Sequence, residues 1–273
     1  LGGGTPSLLF SEDVEEILNY LRHFFAFSSS IEITMEVNPE TVNGDKIRAF
    51  REAGINRFSV GVQSFNPHFL CFLGRSSSLE QIENVLSCMG KINCSSWSLD
   101  LLYSLPFQSF LEWQREVESA LVYHPPHFSI YDLTFSPRVP LYQFAKRHPG
   151  IFPSSDEEAL YFEWAMERLD SEGYRHYEIS NFAQPGAECR HNLNYWSDGE
   201  YLGVGTSAWS YLGGRRQKNT SSLKNYFKRL REGRTPLTFQ EELAPHQKLT
   251  EDIMLRLRTE EGVKTSYLLA QYK

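Results

Sequence analysis

Polar and apolar positions in the first half of the chain follow two alternating periods. Helical spacing appears from Ser11, where Val14, Ile17, Leu18 and Leu21 form one apolar face, and again over Asn43–Ala53, Pro67–Leu73, Leu79–Lys91 and Phe110–Val122. Between them, Ile31–Val37, Arg57–Val62, Trp97–Leu102 and Phe128–Thr134 are β-branched, aromatic or alternating, and predict strands. Local signals mark the ends. Ser11 followed by Glu12, Asp13, Glu15 and Glu16 reads as a hydroxyl N-cap with an acidic first turn, Gly54 closes a helix, and Pro125-Pro126 breaks one. Strand and helix taking turns predict a parallel sheet with covering helices. Strands in such a sheet are expected to be apolar on both faces, so Glu36 and Asp100 belong at carboxyl ends facing a site. A full or partial barrel is the preferred reading. An open doubly wound sheet also binds at its carboxyl edge, so the pattern alone leaves that topology open.

After Pro140 the texture changes. Ser155–Glu172 predicts a long helix with Leu160, Trp164 and Leu169 inward, closed by Gly173. Tyr174–Ser180, the His191–Trp196 stretch and a glycine-rich aromatic segment at Tyr201–Gly214 follow, then helical Ser222–Glu232 and Pro245–Arg258. The expected organisation is a barrel over residues 1–150, an α+β extension over 151–240 and the start of a small helical C-terminal domain over 241–273. The opening LGGGTPS reads as an internal cut, and the end falls within a predicted helix, so a piece of a longer protein is expected.

Composition narrows the function classes. With 41% hydrophobic and 14% aromatic residues, the 273-residue chain can bury a sizeable core. A net charge of −7 lacks the basic surplus of a nucleic-acid binder, and the Arg215–Lys218 and Lys224–Arg234 clusters read as solvated surface. No run of eighteen apolar residues predicts a membrane span. Cys71, Cys88, Cys94 and Cys189 show no CxxC pairing and are expected to be free buried thiols, with a cytoplasmic location or, in a eukaryote, an organellar matrix.

The candidate chemistry starts at Gly2-Gly3-Gly4-Thr5. Three glycines allow a ligand to lie against backbone amides, although such a run taken alone also suits a flexible terminus. From Thr5 the chain reaches Glu36, Gln63, Asp100 and Tyr131, each at the end of a predicted strand, in steps of 31, 27, 37 and 31 residues. Steps of that size suit one strand plus one helix, so Thr5 and these four residues are expected at one rim.

GGGTPSLL, EVNPE, GVQSF, LGR, LDLLYSLP, YEISNFAQPG and HNLNYW, in this order, resemble the oxygen-independent coproporphyrinogen III oxidase-like radical SAM proteins, and most of all their haem-chaperone branch. The resemblance runs from Leu1 to about Val263. It implies an α/β fold with a partial (β/α)6 TIM-like barrel that holds S-adenosylmethionine beside a [4Fe–4S] cluster. Carried onto this chain, Gly3, Gly4 and Thr5 would meet the methionine end, and Glu36 would accept from the cofactor. Gln63 and Arg75 would hold its polar groups, and Asp100 would face the ribose hydroxyls. The family's CxxxCxxC cluster motif lies upstream of the glycine loop, and the four cysteines here do not replace it. Further departures are Ser76-Ser77-Ser78, where a His usually follows LGR, Phe107 within the YGLPGQT-like stretch, and Gly203–Ser210 in place of a GAGAHG-like segment. In the chaperone branch the His of HNxxYW is implicated in haem binding, which here is His191, with Tyr195 and Trp196 as aromatic surface. Arg190 or the Arg215-Arg216 pair would meet the propionates, and the Cys189 thiolate is the competing iron ligand. The implied function is haem binding and delivery to a partner protein. The alternatives are a coproporphyrinogen decarboxylase and a non-catalytic binding scaffold.

Overall fold

The computed structural model describes residues 1–272 apart from 93, 95 and 134–139. Two compact units divide it, Leu1–Glu188 and Cys189–Lys273.

The first unit opens with the glycine loop and a 3₁₀ turn at Pro6–Leu8, followed by α1 (Ser11–Phe24), β1 (Thr34–Val37), α2 (Gly44–Ala53) and β2 (Arg57–Gln63). Then come α3 (Pro67–Phe72), α4 (Leu79–Met89), β3 (Ser96–Tyr103), α5 (Phe110–Leu121), β4 (His127–Asp132) and α6 (Pro140–Arg147). The unit closes with α7 (Ser155–Ser171), β5 (Arg175–Glu178) and β6 (Asn181–Ala183). The strands form one sheet in the order β1-β2-β3-β4-β6-β5, with β1 to β4 parallel and β6 antiparallel to β4. This mixed parallel sheet with covering helices is the expected α/β fold, a partial TIM-like barrel. The predicted strand end at Thr134 lies outside the described residues.

Helix starts follow the local chemistry. Asn43, Ser78 and Ser109 cap α2, α4 and α5 by accepting from the amides of Lys46, Gln81 and Glu112. Gly54 ends α2 at φ 118°, a conformation natural only to glycine. At α1 the expectation fails by one residue. Phe10 is the N-cap, its amide donates to the Asp13 carboxylate at 3.0 Å, and the Ser11 hydroxyl turns instead to Glu12.

Helix faces show where packing overrode periodicity. In α1, Val14 and Leu18 are buried, whereas Ile17 is 40% exposed. In α7 Tyr161, Ala165 and Leu169 are buried and Trp164 packs against the core as expected, whereas Leu160 is 48% exposed. The Tyr161 hydroxyl donates to the Gln108 carbonyl, and the Trp113 indole N–H donates to the Tyr161 carbonyl, both at 2.8 Å. Those two bonds select the rotation of α7. Cys71 is also exposed rather than buried, while Cys88 and Cys189 are buried.

The parallel strands alternate rather than being apolar throughout. Phe58, Val60, Val62, Trp97, Leu99, Leu101, Phe128 and Ile130 belong to the core. The opposite face carries Arg57, Ser59, Gly61, Ser96, Ser98, Asp100, His127 and Ser129. Side chains alternate with period 2, so one face of this sheet anchors the core and the other builds a polar interior.

The second unit contains α8 (Arg190–Trp196), an antiparallel sheet of β7 (Trp209–Leu212), β8 (Arg215–Asn219) and β9 (Leu237–Glu242), α9 (Leu223–Arg231), α10 (Pro245–Arg256) and α11 (Thr265–Gln271). Among the described residues no helix is long and apolar enough to cross a membrane.

Trp113 is fully buried and hydrogen-bonded. Trp113→Ala is expected to lower stability by about 3–5 kcal/mol. Urea unfolding should show a lower midpoint with an unchanged slope.

Candidate functional site

At the carboxyl ends of β1 and β2, and against Asp100 partway along β3, lies a cavity of about 370 Å³, within the roughly 300–1,000 Å³ typical of small-molecule sites. Gly4 and Thr5, Glu36, Gln63, Arg75 and Asp100 all line it. These residues come from five separate stretches of chain. The parallel ladder explains the convergence, since Glu36 pairs with Ser59, and Gly61 pairs with Asp100. Tyr131, also expected at this rim, is not among the lining residues. In the β4 register it is Ser129 that pairs with Asp100, and Tyr131 lies two residues beyond it.

The glycine loop is pinned to the end of β1. The Glu36 amide donates to the Leu1 carbonyl at 3.1 Å, and the Asn38 amide donates to the buried Ser7 hydroxyl at 3.2 Å. Lys46 donates to the Ser7 carbonyl at 2.7 Å. Gly3 and Gly4 have φ of 75° and 65°, a conformation costly for other residues. The Gly3 amide does not line the cavity; it donates to Glu36 Oε2 at 3.1 Å. A Cβ on Gly2 would sit 2.5 Å from Glu36 Oε1, so a side chain there would displace that carboxylate.

Gln63 ends β2 where the register slips, in the left-handed region at φ 69°. Its amide nitrogen lies 2.9 Å from where a Cβ on Gly61 would be. Buried Glu116 on α5 fixes the turn that follows, accepting from Ser64 Oγ at 2.7 Å and from the Phe65 amide at 2.5 Å. Arg75 is oriented by Glu40, 3.7 Å away, and Ser77 donates to the same carboxylate.

Asp100 is held from two strands. Ser59 Oγ donates to Oδ2 and Ser98 Oγ donates to Oδ1, each at 2.8 Å. Burial pushes its pKa up, opposed by the hydroxyls of Ser59, Ser98 and Ser129 and by the charge of Arg57. A carboxylate so held keeps acceptor capacity for donors arriving from the cavity. The supporting residues Asn38, Ser59, Gly61, Glu40 and Ser98 were not named from the sequence. Their signals were present: Ser59 and Ser98 interrupt apolar strands at period 2, and Glu40 lies within EVNPE.

In the second unit, His191 is an exposed residue of α8 whose ring packs edge-to-face on Tyr195 with centroids 4.8 Å apart, and Tyr195 packs likewise on Tyr201 at 4.5 Å. The Arg258 guanidinium covers the Trp196 ring at 5.3 Å. Arg215 pairs with Glu242, and Arg216 pairs with Glu241 and Glu251, so both reach for carboxylates of this chain rather than standing as bare surface charge. Cys189 is 5% exposed. Among the described residues no three His, Cys, Asp or Glu side chains form a metal-binding group, and no cysteine lines the cavity.

The profile of the radical SAM superfamily matches residues 1–118. The chain is 34% identical over 270 residues to the haem chaperone HemW of Synechocystis sp., an alignment covering 98% of this chain and 65% of that protein. It is 31% identical to HemW of Bacillus subtilis over 100% of this chain and 72% of that protein. The chain belongs to the HemW family. HemW of Escherichia coli is 39% identical over 76% of this chain and 54% of its own length. Among solved structures, the radical SAM enzyme coproporphyrinogen III oxidase (HemN) from Escherichia coli superposes with a TM-score of 0.85 at 25% identity, covering 99% of this chain and 65% of that one. The chain thus spans between about half and about three quarters of these relatives' lengths.

Asp100 makes a pH-dependent contribution whose sign follows from its raised pKa. The folded-state value lies above the ordinary 3.8, so the group favours folding below pH 3.8, and that contribution is lost as pH rises through the raised value. Comparing urea unfolding of the protein and of Asp100→Asn between pH 3 and 8 should isolate this slope in the difference. A difference independent of pH would contradict it.

Proposed function

We propose that this chain carries the S-adenosylmethionine site and a haem-binding element of a haem chaperone of radical SAM ancestry. The observation that supports it most is the meeting of Thr5, Glu36, Gln63, Arg75 and Asp100 on one cavity at the carboxyl ends of parallel strands. The donor set fits the cofactor. Asp100 retains free acceptor capacity for the two hydroxyls of a ribose. Arg75, steadied by Glu40, suits a carboxylate, and Glu36 and Gln63 suit an ammonium and the remaining polar groups. Gly4 and Thr5 close one side with backbone and a small hydroxyl. When bound, S-adenosylmethionine supplies a sulfonium centre, and these residues bind and orient it. The cluster is a different matter: no cysteine lines the cavity, so the residues present do not provide its ligands, and no step is assigned to it.

Haem is read as cargo rather than as a resident cofactor. His191 offers an exposed imidazole, a common axial ligand, beside the aromatic pair Tyr195 and Tyr201. Arg190, next to His191 in sequence, or the Arg215-Arg216 pair would meet the propionates. Delivery to a haem-accepting protein is the corresponding partner interaction. The decarboxylase alternative draws on the structural likeness to HemN, whereas the sequence relatives are haem chaperones.

Two measurements test this reading. Calorimetric titration with S-adenosylmethionine should show weak binding that Asp100→Asn reduces about tenfold, since a hydrogen bond to a charged group contributes about 1.5–3 kcal/mol. Unchanged affinity in Asp100→Asn would contradict the diol contact. Titration with haemin should give a Soret shift that disappears in His191→Ala. A thiolate-type spectrum in that variant would transfer the ligand role to Cys189, and an unchanged spectrum would refute His191 ligation.

A further inference from the structure

Behind Asp100 the polar interior continues as a chain of hydrogen bonds that reaches β5. Ser98 Oγ, which donates to Asp100, lies 2.9 Å from His127 Nδ1 and 3.0 Å from Ser129 Oγ. His127 Nε2 lies 2.8 Å from the Tyr177 hydroxyl. All four of these groups are buried, His127 to 1% and Ser98 to 0% exposure.

The direction of this chain follows from counting protons. A serine hydroxyl has one proton and two lone pairs. Ser98 gives its proton to the carboxylate, so it can only accept from its other neighbours. His127 Nδ1 must then carry a proton and donate it to Ser98. A neutral imidazole has one N–H, so Nε2 is the acceptor, and the Tyr177 hydroxyl donates to it. The bonds therefore run one way, from Tyr177 through His127 and Ser98 to Asp100, and cross β5, β4 and β3. Burial, aided by the positive charge of Arg57, holds the imidazole well below its ordinary pKa and so keeps it neutral. Arg57 is itself 3% exposed, and among the described residues its Nε and one terminal nitrogen have no hydrogen-bond partner. A second cation at His127 would be repelled there.

We propose that His127, acting through Ser98, is a positioning residue that keeps the Ser98 proton on Asp100 and leaves the carboxylate's outward lone pairs aligned for a vicinal diol. The proposal deepens the ribose reading above and rests on it. Without the Nδ1 donor, Ser98 keeps only the Ser129 hydroxyl at 3.0 Å as an inner contact, and its bond to Oδ1 of Asp100 is less firmly aimed. The carboxylate then rotates or takes up a proton, and a diol in the cavity meets a misaligned acceptor. A role in core packing alone would weaken every ligand of the cavity alike, whereas this role acts only on ligands that carry the diol.

Adenosine and 2′,3′-dideoxyadenosine separate the two roles, because they differ only in that diol. The unmutated protein is expected to prefer adenosine. His127→Ala should cut that preference about fivefold, the worth of roughly one hydrogen bond, with the dideoxy affinity unchanged. His127→Asn, whose amide N–H can replace the Nδ1 donor, should restore the preference and also guards against loss of folding in the alanine variant. Long-range ¹H–¹⁵N NMR of the histidine ring should report the Nδ1–H tautomer. A parallel fall in both affinities, a preference that survives His127→Ala, or an Nε2–H tautomer would each overturn the positioning role while leaving the diol site standing. If the folded, unmutated protein fails to distinguish the two nucleosides, the ribose reading falls and this role falls with it.

Discussion

A carboxylate placed inside a parallel sheet must be hydrogen-bonded or it destabilises the fold, and Asp100 obeys that constraint with partners from two strands. Ser59 on β2 and Ser98 on β3 each donate to one of its oxygens. That arrangement needs both serines on the same face as Asp100 and β2 in parallel register beside β3, so the site requires this strand pairing and not merely the strands. The polar interior is the other side of the same requirement. One face of each strand packs Phe58, Leu99 and Phe128 into the core, and the alternate face is left to carry Ser, Asp and His.

Around that centre the cavity is assembled by residues whose work is to hold others. Glu116 is buried with its carboxylate on Ser64 and on the Phe65 amide, and this anchors the turn after Gln63 in its left-handed conformation. Gly61 leaves room for the Gln63 amide. Glu40 steadies Arg75, and Ser7 and Lys46 tie the glycine loop to the turn after β1. Gln63 is the lining residue that keeps its place at a cost in backbone strain.

The second unit is built on different terms. Its sheet is antiparallel, and Arg215 and Arg216 on β8 pair with Glu242, Glu241 and Glu251. Such pairs near the surface contribute little stability each. The aromatic contacts of His191 with Tyr195, and of Tyr195 with Tyr201, give α8 an exposed imidazole supported by rings.

Element type, order and direction could be read from the chain because they rest on local causes. Hydrophobic period distinguishes β2 from α2, Gly54 marks a helix end, and Pro125-Pro126 breaks one. The strand-end spacing also brought Thr5, Glu36, Gln63 and Asp100 to one rim, since period and connection length are sequence properties. What the chain could not reveal depends on contacts distant in sequence. The rotation of α7 is selected by Tyr161 meeting Gln108 and Trp113, some fifty residues away. Ser129, not Tyr131, accompanies Asp100 because the β3–β4 register says so. The tautomer of His127 is decided by Ser98 and Tyr177, and nothing near His127 in sequence announces either partner. Local sequence sets which conformations a segment can adopt, but register and helix rotation are settled by packing between segments, and only the folded chain brings those segments together.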